Sequence, residues 1–321
     1  MYRIGIDLGG TNIAGGLVNE NYEIVHKESV PTNAAERTQE EIVGAIAELC
    51  QKICDAKGIA LAEVEAIGVA SPGIADHDRG VVVYSNNLPF RDLPVASMLC
   101  ELTGVSEVHV ENDANAAAWG EAVAGAARGT KKSVMITLGT GVGGGVIIDG
   151  KVISGFNYAG GELGHTVIEK NGAPCSCGRR GCWEAYSSAT ALIRMTGEKI
   201  EECARTGRKT VMTDLVEAKG KISGRTAFDA MRAGDEAGQE VVDTYISYLA
   251  TGIANMVNIF QPEVLSIGGG VSNEKENLLR PLEPLVRKEQ YGSGLVPMTR
   301  ICVAELGNDA GIIGAAFLGM N

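Results

Sequence analysis

The sequence predicts an α/β protein built from two related halves. Its 321 residues, 45% hydrophobic and 21% charged, are enough to form two compact domains. The chain opens with short strands joined by a glycine-rich turn, the pattern of a β-meander. The same succession of strand, glycine turn and strand returns near residue 134, which indicates an internal duplication.

The first half predicts three strands, a helix and two further strands. The opening strands are expected at residues 2–7, 13–18 and 22–26, and the helix at 36–54, where apolar residues recur at helical spacing. A strand at EAIGVA runs into the turn SPG, and a strand at EVHVEN ends at Asn112 and Asp113, where an alanine-rich helix begins.

The second half repeats this opening. VMITLGTGVGGGVIIDGKVI aligns with RIGIDLGGTNIAGGLVNENYEIV at a constant offset, which pairs Leu8 with Leu138 and Gly15 with Gly145. Residues 185–260 are expected to be mostly helical, with the longest apolar periodicity at 238–260. The strand EVLSIGGG follows, and the chain closes with a small-residue helix, DAGIIGAAFLG.

The composition indicates which binding partners and which cellular compartment to expect. A formal net charge of −12 argues against binding to nucleic-acid backbones, because no basic patch is available to displace counterions. The first residues alternate like a strand and have no signal-peptide pattern, and no apolar run is long enough to span a membrane. We therefore expect a cytoplasmic protein that binds neither nucleic acid nor membrane.

Three glycine turns are candidates for phosphate binding by backbone amides. Residues 7–11 read Asp-Leu-Gly-Gly-Thr, residues 138–145 hold glycine or threonine at most positions, and 268–270 are three glycines after a strand. The alternative is that each is a tight hairpin whose glycines only satisfy positive φ. Three such turns together predict a nucleotide cleft, although no GxxxxGK[ST] loop is present.

Asp113 allows two interpretations. Asn and Asp are favoured where a strand turns into a helix, so Asp113 could be an N-cap and nothing more. Phosphoryl transfer, however, needs a positioned carboxylate to accept a hydroxyl proton, and Asp113 at a strand end would supply it. Asn112 beside it could orient the hydroxyl.

One histidine and three cysteines lie within eighteen positions, at His165, Cys175, Cys177 and Cys182. This ligand set closes a tetrahedral zinc site with no position for water, which makes the site structural. A disulfide would need an oxidising compartment and an even count of cysteines in the cluster. Glu162 and Glu184 flank the cluster and could grip vicinal hydroxyls of a sugar, or could be solvated surface charges.

These residues resemble the ROK family of bacterial sugar kinases, related repressors and unclassified open reading frames. The resemblance rests on DLGGT, ENDANAAAWGE, LGTGVGGG, GELGH and CSCGRRGCWE, and it runs from residue 2 to the final helix. It implies a duplicated ribonuclease-H-like, actin-type ATPase fold with two domains flanking a cleft. The domains expected are residues 1–117 with 309–321, and 118–308 with the zinc loop 165–182.

The resemblance also implies roles for individual residues. Asp113 matches the catalytic base, and His165 matches a residue that binds both zinc and sugar. The other positions that match sugar-binding residues are Pro72, Gly73, Asn87, Asn112, Glu162 and Glu184. The positions that match the ATP-binding loops are Asp7, Gly9, Gly10 and Thr11; Gly139, Thr140, Gly141 and Gly143; and Gly268, Gly269 and Gly270.

The function implied is ATP-dependent phosphorylation of a hexose at its 6-hydroxyl, with Mg²⁺ and a structural Zn²⁺, and glucose as the expected substrate. N-acetylmannosamine, N-acetylglucosamine, fructose and allose are alternatives. A sugar-sensing regulator and a zinc-organised interaction scaffold are rivals from other classes, and repressors of the family carry a helix-turn-helix domain before DLGGT that is not expected here. The long apolar helical region favours a homodimer or homotetramer.

Overall fold

The computed structural model describes residues 1–320, and the chain divides into two compact units. The first unit comprises Met1–Met135, Gly145–Gly161 and the segment that starts at Glu305. The second comprises Ile136–Gly144 and Glu162–Ala304. The domain boundaries expected from the sequence, after residue 117 and after residue 308, remain a prediction.

The N-terminal third forms eight strands and three helices. They are β1 (Tyr2–Leu8), β2 (Asn12–Asn19), β3 (Ile24–Pro31), α1 (Gln39–Asp55), β4 (Val64–Ser71), β5 (Ile74–Asp76), β6 (Val81–Tyr84), β7 (Arg91–Leu93), α2 (Val95–Thr103), β8 (Val108–Asn112) and α3 (Asp113–Val123). A five-stranded sheet has the order β3-β2-β1-β4-β8, and β5, β6 and β7 form a small antiparallel sheet that the sequence pattern does not predict.

The remainder of the chain holds a second five-stranded sheet and most of the helices. The elements are β9 (Lys132–Leu138), β10 (Val142–Ile148), β11 (Lys151–Val152), α4 (Glu184–Ser187), α5 (Ala189–Thr206), α6 (Val211–Lys219), α7 (Thr226–Arg232), α8 (Glu236–Phe260), β12 (Val264–Gly268), α9 (Glu276–Glu289), β13 (Arg300–Val303) and α10 (Ala310–Ala316). The sheet order is β11-β10-β9-β12-β13. None of the described helices combines the length and the apolar character needed to cross a bilayer.

The internal duplication is confirmed by the strands themselves. β9 begins and ends 130 residues after β1, β10 begins 130 residues after β2, and the two sheets share one strand order. In the first sheet β1 pairs antiparallel with β2 and parallel with β4, so the sheet is mixed. The α/β class predicted from the sequence is confirmed.

Packing against the first sheet explains the positions of helices α1 and α10. Ile42, Ile46 and Leu49 of α1 are fully buried in the core beside the apolar residues of β1 and β2. The small-residue helix α10 approaches the sheet so closely that a Cβ on Gly5 or Gly68 would lie within 1.8 Å of an α10 carbonyl oxygen. Glycine is required where two backbones meet at this distance.

The third strand begins later than the predicted residues 22–26. The side chain of Asn19 accepts hydrogen bonds from the backbone N–H groups of Asn21 and Glu23, and Tyr22 adopts a φ of +64°. These residues therefore form a turn, because an asparagine side chain offers the backbone an alternative to strand pairing. The strand starts at Ile24.

Candidate functional site

Asn112 and Asp113 lie where β8 ends and α3 begins. The side-chain oxygen of Asn112 accepts hydrogen bonds from the backbone N–H groups of Ala114 and Asn115, at 2.9 Å and 3.2 Å, and its amide donates to the Gly73 carbonyl at 3.0 Å. Asn112 is therefore the N-cap of α3. The N-cap is therefore Asn112 and not Asp113, although Asp113 Oδ1 also accepts a hydrogen bond from the Ala114 N–H at 2.8 Å.

Asp113 and Asp7 have raised pKa values at this end of the first sheet. The Asp113 side chain is accessible to solvent, yet the surrounding protein desolvates it and raises its pKa. Burial raises the pKa of Asp7 to about 6, with a further increase from the charge of Asp113 and an opposing effect from Lys27. Two carboxylates with raised pKa values at one sheet edge are typical of a functional site.

The first glycine turn is held by the strands around it. Gly9 donates its backbone N–H to the Asn12 carbonyl at 2.9 Å, and the Thr32 hydroxyl donates to the Gly9 carbonyl at 2.7 Å. Neither Gly9 nor Gly10 adopts a positive φ. The turn is a hairpin between β1 and β2, but the alternative that its glycines only satisfy positive φ is wrong for Gly9 and Gly10. Gly10 and Thr11 are exposed.

Two predicted sugar-site segments lie in the same unit. A Cβ on Gly10 would be 3.4 Å from the Cβ of Asn87, so Asn87 borders the first glycine turn. Gly73 follows Pro72 with a φ of +102°, and a Cβ there would lie 2.0 Å from the Tyr84 carbonyl oxygen. Only glycine fits at that position, and its carbonyl accepts the hydrogen bond from Asn112.

The second and third glycine turns adjoin each other in the second unit. Gly269, with a φ of +81°, lies so near the backbone of Leu138 that a Cβ would come within 2.6 Å of it. Gly139 accepts a hydrogen bond from Ala189 N–H at 2.8 Å and has open space where a Cβ would project. The turn residues predicted to contact nucleotide in this unit are Gly139, Thr140, Gly141 and Gly143, and Gly268, Gly269 and Gly270.

The histidine and the three cysteines are brought together as the sequence predicts. One ligand atom from each of His165, Cys175, Cys177 and Cys182 lies within 4.8 Å of all the others. The sulfur atoms of Cys177 and Cys182 are 3.7 Å apart, and Cys175 Sγ is 3.7 Å from His165 Nδ1. Sulfur ligands about 2.3 Å from a tetrahedral zinc lie about 3.8 Å from each other, so the four donors fit the ion.

Backbone hydrogen bonds within the loop determine the conformation of the segment that carries the cluster. Ile168 N–H donates to the Gly181 carbonyl at 2.9 Å, and Cys175 N–H donates to the Arg179 carbonyl at 2.9 Å. Gly181 has a φ of +79°, and a Cβ there would lie 1.8 Å from the Glu169 carbonyl oxygen. The cluster indicates a structural zinc site, because four protein ligands leave no open position.

The two glutamates that flank the cluster have different surroundings. Glu162 is exposed immediately before a short 3₁₀ turn, Leu163–His165, that carries the histidine. Glu184 is partly buried, and its Oε2 accepts a hydrogen bond from Val142 N–H at 3.0 Å. Its Oε1 accepts one from the Ser176 hydroxyl at 3.2 Å. The contact with Val142 was not foreseen, because strand and helix patterns do not reveal which loops meet.

The predicted site residues thus form one group in each unit. The first group is Asp7, Gly9, Gly10, Thr11, Pro72, Gly73, Asn87, Asn112 and Asp113, and the second contains the zinc cluster, Glu162, Glu184 and the other two glycine turns. Their contacts with sugar and nucleotide remain predictions. Duplicated mixed sheets with glycine turns after the first strand of each define the class of actin-type ATPase folds.

Comparison with known proteins places the chain within this class. The ROK family model matches residues 3–321. The glucokinase of Thermotoga maritima is 38% identical over 98% of this chain and 95% of its own length. A crystal structure of a ROK family glucokinase from Streptomyces griseus with glucose and AMPPNP is 35% identical, covers 99% of each chain and has a TM-score of 0.79. The ROK hexokinase of Thermus thermophilus is 34% identical, covers 98% and 97%, and has a TM-score of 0.80.

The chain belongs to the ROK family. The family and the fold predicted from the sequence motifs are confirmed.

Proposed function

We propose that this protein transfers the γ-phosphoryl group of ATP to the 6-hydroxyl of a hexose, and that glucose is the preferred acceptor. The observation that carries the proposal is the strand–helix junction at Asn112 and Asp113. Asn112 is the N-cap of α3, and the neighbouring Asp113 carboxylate, which also accepts from the Ala114 N–H, is not required as the cap. The related enzyme from Streptomyces griseus was crystallised with glucose and AMPPNP, which supports the choice of substrates.

Asp113 would act as the general base. Burial raises the pKa of Asp113 above its ordinary value, which makes it a better proton acceptor than an ordinary aspartate. It would take the proton of the 6-hydroxyl as that oxygen forms a bond to the γ-phosphorus. The bond between the γ-phosphorus and the bridging oxygen breaks, and ADP leaves with that oxygen.

The glycine turns would hold ATP, which arrives as its Mg²⁺ complex. Because the net charge of the protein is −12, backbone N–H groups are better suited than a basic patch to bind the phosphates. Gly139 has no atoms within 4 Å of the place where a Cβ would project, so a phosphate could approach the backbone. Magnesium would neutralise the charge that develops on the phosphoryl oxygens.

The residues around the zinc loop would hold the sugar. His165 faces Cys175 through Nδ1, so its Nε2 could bind a hydroxyl while Nδ1 binds zinc. Glu162, Glu184, Asn112, Asn87 and the turn at Pro72 and Gly73 would supply the remaining contacts. Zinc would fix this loop and would take no part in the chemical step.

A panel of monosaccharides with ATP and Mg²⁺ tests the proposal. The panel contains glucose, N-acetylmannosamine, N-acetylglucosamine, fructose and allose, and ADP release is coupled to NADH oxidation. We expect the highest kcat/KM with glucose. A higher value for another sugar would reassign the substrate, and sugar binding without ADP release would favour a non-catalytic sensor. Binding of none of these sugars, with the fold intact, would favour an interaction scaffold.

We further propose that the protein assembles as a homodimer or homotetramer. Ile259, Tyr291 and Leu295 of the second unit expose large apolar side chains, with Tyr291 and Leu295 more than 80% accessible. Light scattering coupled to gel filtration measures the mass directly. A single species of 33.5 kDa at micromolar concentration would contradict assembly.

A further inference from the structure

His77 connects three segments of the first unit. It lies in the turn between β5 and β6, and its Nδ1 is 3.0 Å from Oε2 of Glu111 at the end of β8. Its ring meets the ring of Tyr158 edge to face, with centroids 5.0 Å apart. The Tyr158 hydroxyl donates to Asp78 at 2.6 Å. The turn therefore holds both the end of β8 and the loop after β11.

Glu111 is a buried carboxylate with a complete set of partners. Its side chain is only 4% accessible, and Oε1 accepts hydrogen bonds from Asn112 N–H at 2.8 Å and from the Asn115 amide at 3.1 Å. Asn112 in turn caps helix α3, whose first residue is Asp113. Glu111 thus fixes the backbone on the strand side of the proposed base, and His77 supplies the contact to its other oxygen.

The surroundings of His77 favour its protonated form. Glu111 and His109 lie beside it on β8, Asp76 and Asp78 flank it on its own turn, and Lys151 and Tyr158 come from β11 and the following loop. The hydrogen bond to Glu111 raises the pKa of His77 above its usual 6.5, with smaller contributions from the charges of Glu111, Asp78 and Asp76 and an opposing effect of burial. A cavity of about 370 Å³ gives solvent access to the ring.

We propose that His77 is a positioning residue for phosphoryl transfer, acting through Glu111 and Asn112 to hold Asp113 in its reactive orientation. This inference rests on the proposed function. An imidazolium holds a buried carboxylate more strongly than a neutral imidazole does. The proposed base is therefore held best at pH values below the pKa of His77, and less well above it.

Two substitutions distinguish the contribution of the His77 ring from that of its hydrogen bond to Glu111. His77→Asn retains a donor in the position of Nδ1 but has no charge at any pH, whereas His77→Phe retains the ring and leaves Glu111 Oε2 without its donor. With ATP and glucose, we expect kcat of His77→Phe to fall about tenfold to a hundredfold with little change in the KM for ATP, because a displaced base affects the transition state. His77→Asn should retain more activity than His77→Phe.

The pH profile distinguishes positioning from a general structural role. The kcat of the unsubstituted protein should decline as the pH rises through the pKa of His77, and this decline should be absent in His77→Asn. His26→Asn is the matched control, because His26 Nε2 lies 3.0 Å from Oε1 of Glu28 on the edge strand β3. If kcat of His77→Phe equals that of His26→Asn, or if His77→Asn keeps the original profile, the inference is overturned.

Hydrogen exchange gives a readout that does not depend on activity. Peptides covering residues 108–116 and 153–161 should exchange faster in His77→Phe than in His26→Asn, because both segments contact the His77 turn. Faster exchange in a protein that phosphorylates no sugar would support the positioning contacts and refute the kinase proposal. Unchanged exchange in an active enzyme would refute the positioning role alone.

Discussion

The carboxylate of Glu184 accepts a hydrogen bond from the backbone N–H of Val142, 3.0 Å away. Its other oxygen accepts from the Ser176 hydroxyl and lies 3.6 Å from Cys175 Sγ. One side chain therefore joins the second glycine turn to the loop that carries the metal ligands. A segment proposed to bind ATP and a segment proposed to bind sugar share a single carboxylate.

Removal of this carboxylate should weaken the binding of both substrates. In Glu184→Ala the Val142 N–H and the Ser176 hydroxyl lose their acceptor, and each turn loses a restraint. We expect the KM for glucose and the KM for ATP each to rise about tenfold or more. The measurement is steady-state kinetics with each substrate varied in turn.

Glu201→Ala on the exposed face of α5 is the control for this substitution. It should leave both constants unchanged. A rise confined to the KM for glucose would show that the contact with Val142 does not affect nucleotide binding.

Freshly purified protein should contain one zinc ion per chain. Cys177→Ser removes one of four donors and should release the metal, lower the melting temperature and raise the Kd for glucose by about tenfold or more. Mass spectrometry for zinc, differential scanning calorimetry and glucose titration provide the three readouts. Cys100→Ser, outside the cluster, serves as the control.

Less than one zinc per chain in the unsubstituted protein would count against the metal site. Unchanged glucose affinity in Cys177→Ser, together with loss of zinc, would separate the metal from sugar binding. Either result is independent of the sugar identified by the substrate panel.

Asp113→Asn should reduce turnover strongly without unfolding the protein. The amide cannot accept the hydroxyl proton, so we expect kcat to fall by a factor of about 10² to 10⁴ while glucose still binds. Asp214→Asn, in the exposed first turn of α6, is a matched substitution and should retain full activity. Turnover by Asp113→Asn at the original rate would exclude Asp113 as the base.

Asp7 should lower the stability of the folded protein as the pH rises, whereas a salt-bridged carboxylate raises it. Its pKa is raised from 3.8 to about 6 in the folded protein, so the charge that it carries above that pH reduces the free energy of unfolding. Asp7→Asn removes this cost and should stabilise the protein by up to about 3 kcal/mol at about pH 8. The gain should shrink as the pH falls below 6 and disappear only below the ordinary pKa of 3.8.

Urea unfolding at several pH values measures the difference in stability. Asp214→Asn should show no comparable gain at alkaline pH. If Asp7→Asn is less stable than the unsubstituted protein above pH 7, the Asp7 carboxylate makes a favourable contact that outweighs its desolvation.

The sequence was most informative where local rules determine structure. The constant offset between the two glycine-turn segments, which pairs Leu8 with Leu138, predicted two related sheets. Strand periodicity and turn residues are local features that neighbouring residues determine. The metal cluster could be predicted for the same reason, since the spacing of its cysteines and the glycines between them specify a tight loop.

Contacts between distant segments could not be predicted in this way. Nothing near His77 indicates that it meets Glu111, and the pairing depends on the short sheet of β5, β6 and β7 that periodicity did not reveal. The choice between Asn112 and Asp113 as helix cap was also undetermined, because both residue types are favoured there and only side-chain direction decides.

Because the four clustered side chains fit a structural zinc ion, we expect the order of this loop to depend on the zinc supply and the redox state of the cell. We expect a chain synthesised without zinc to keep the proposed base Asp113 but to lose the metal contacts proposed to order Glu162 and Glu184. An oxidant that joins Cys177 and Cys182 in a disulfide should have the same effect. Sugar phosphorylation would then decline during metal limitation or oxidative stress without any change in the amount of protein.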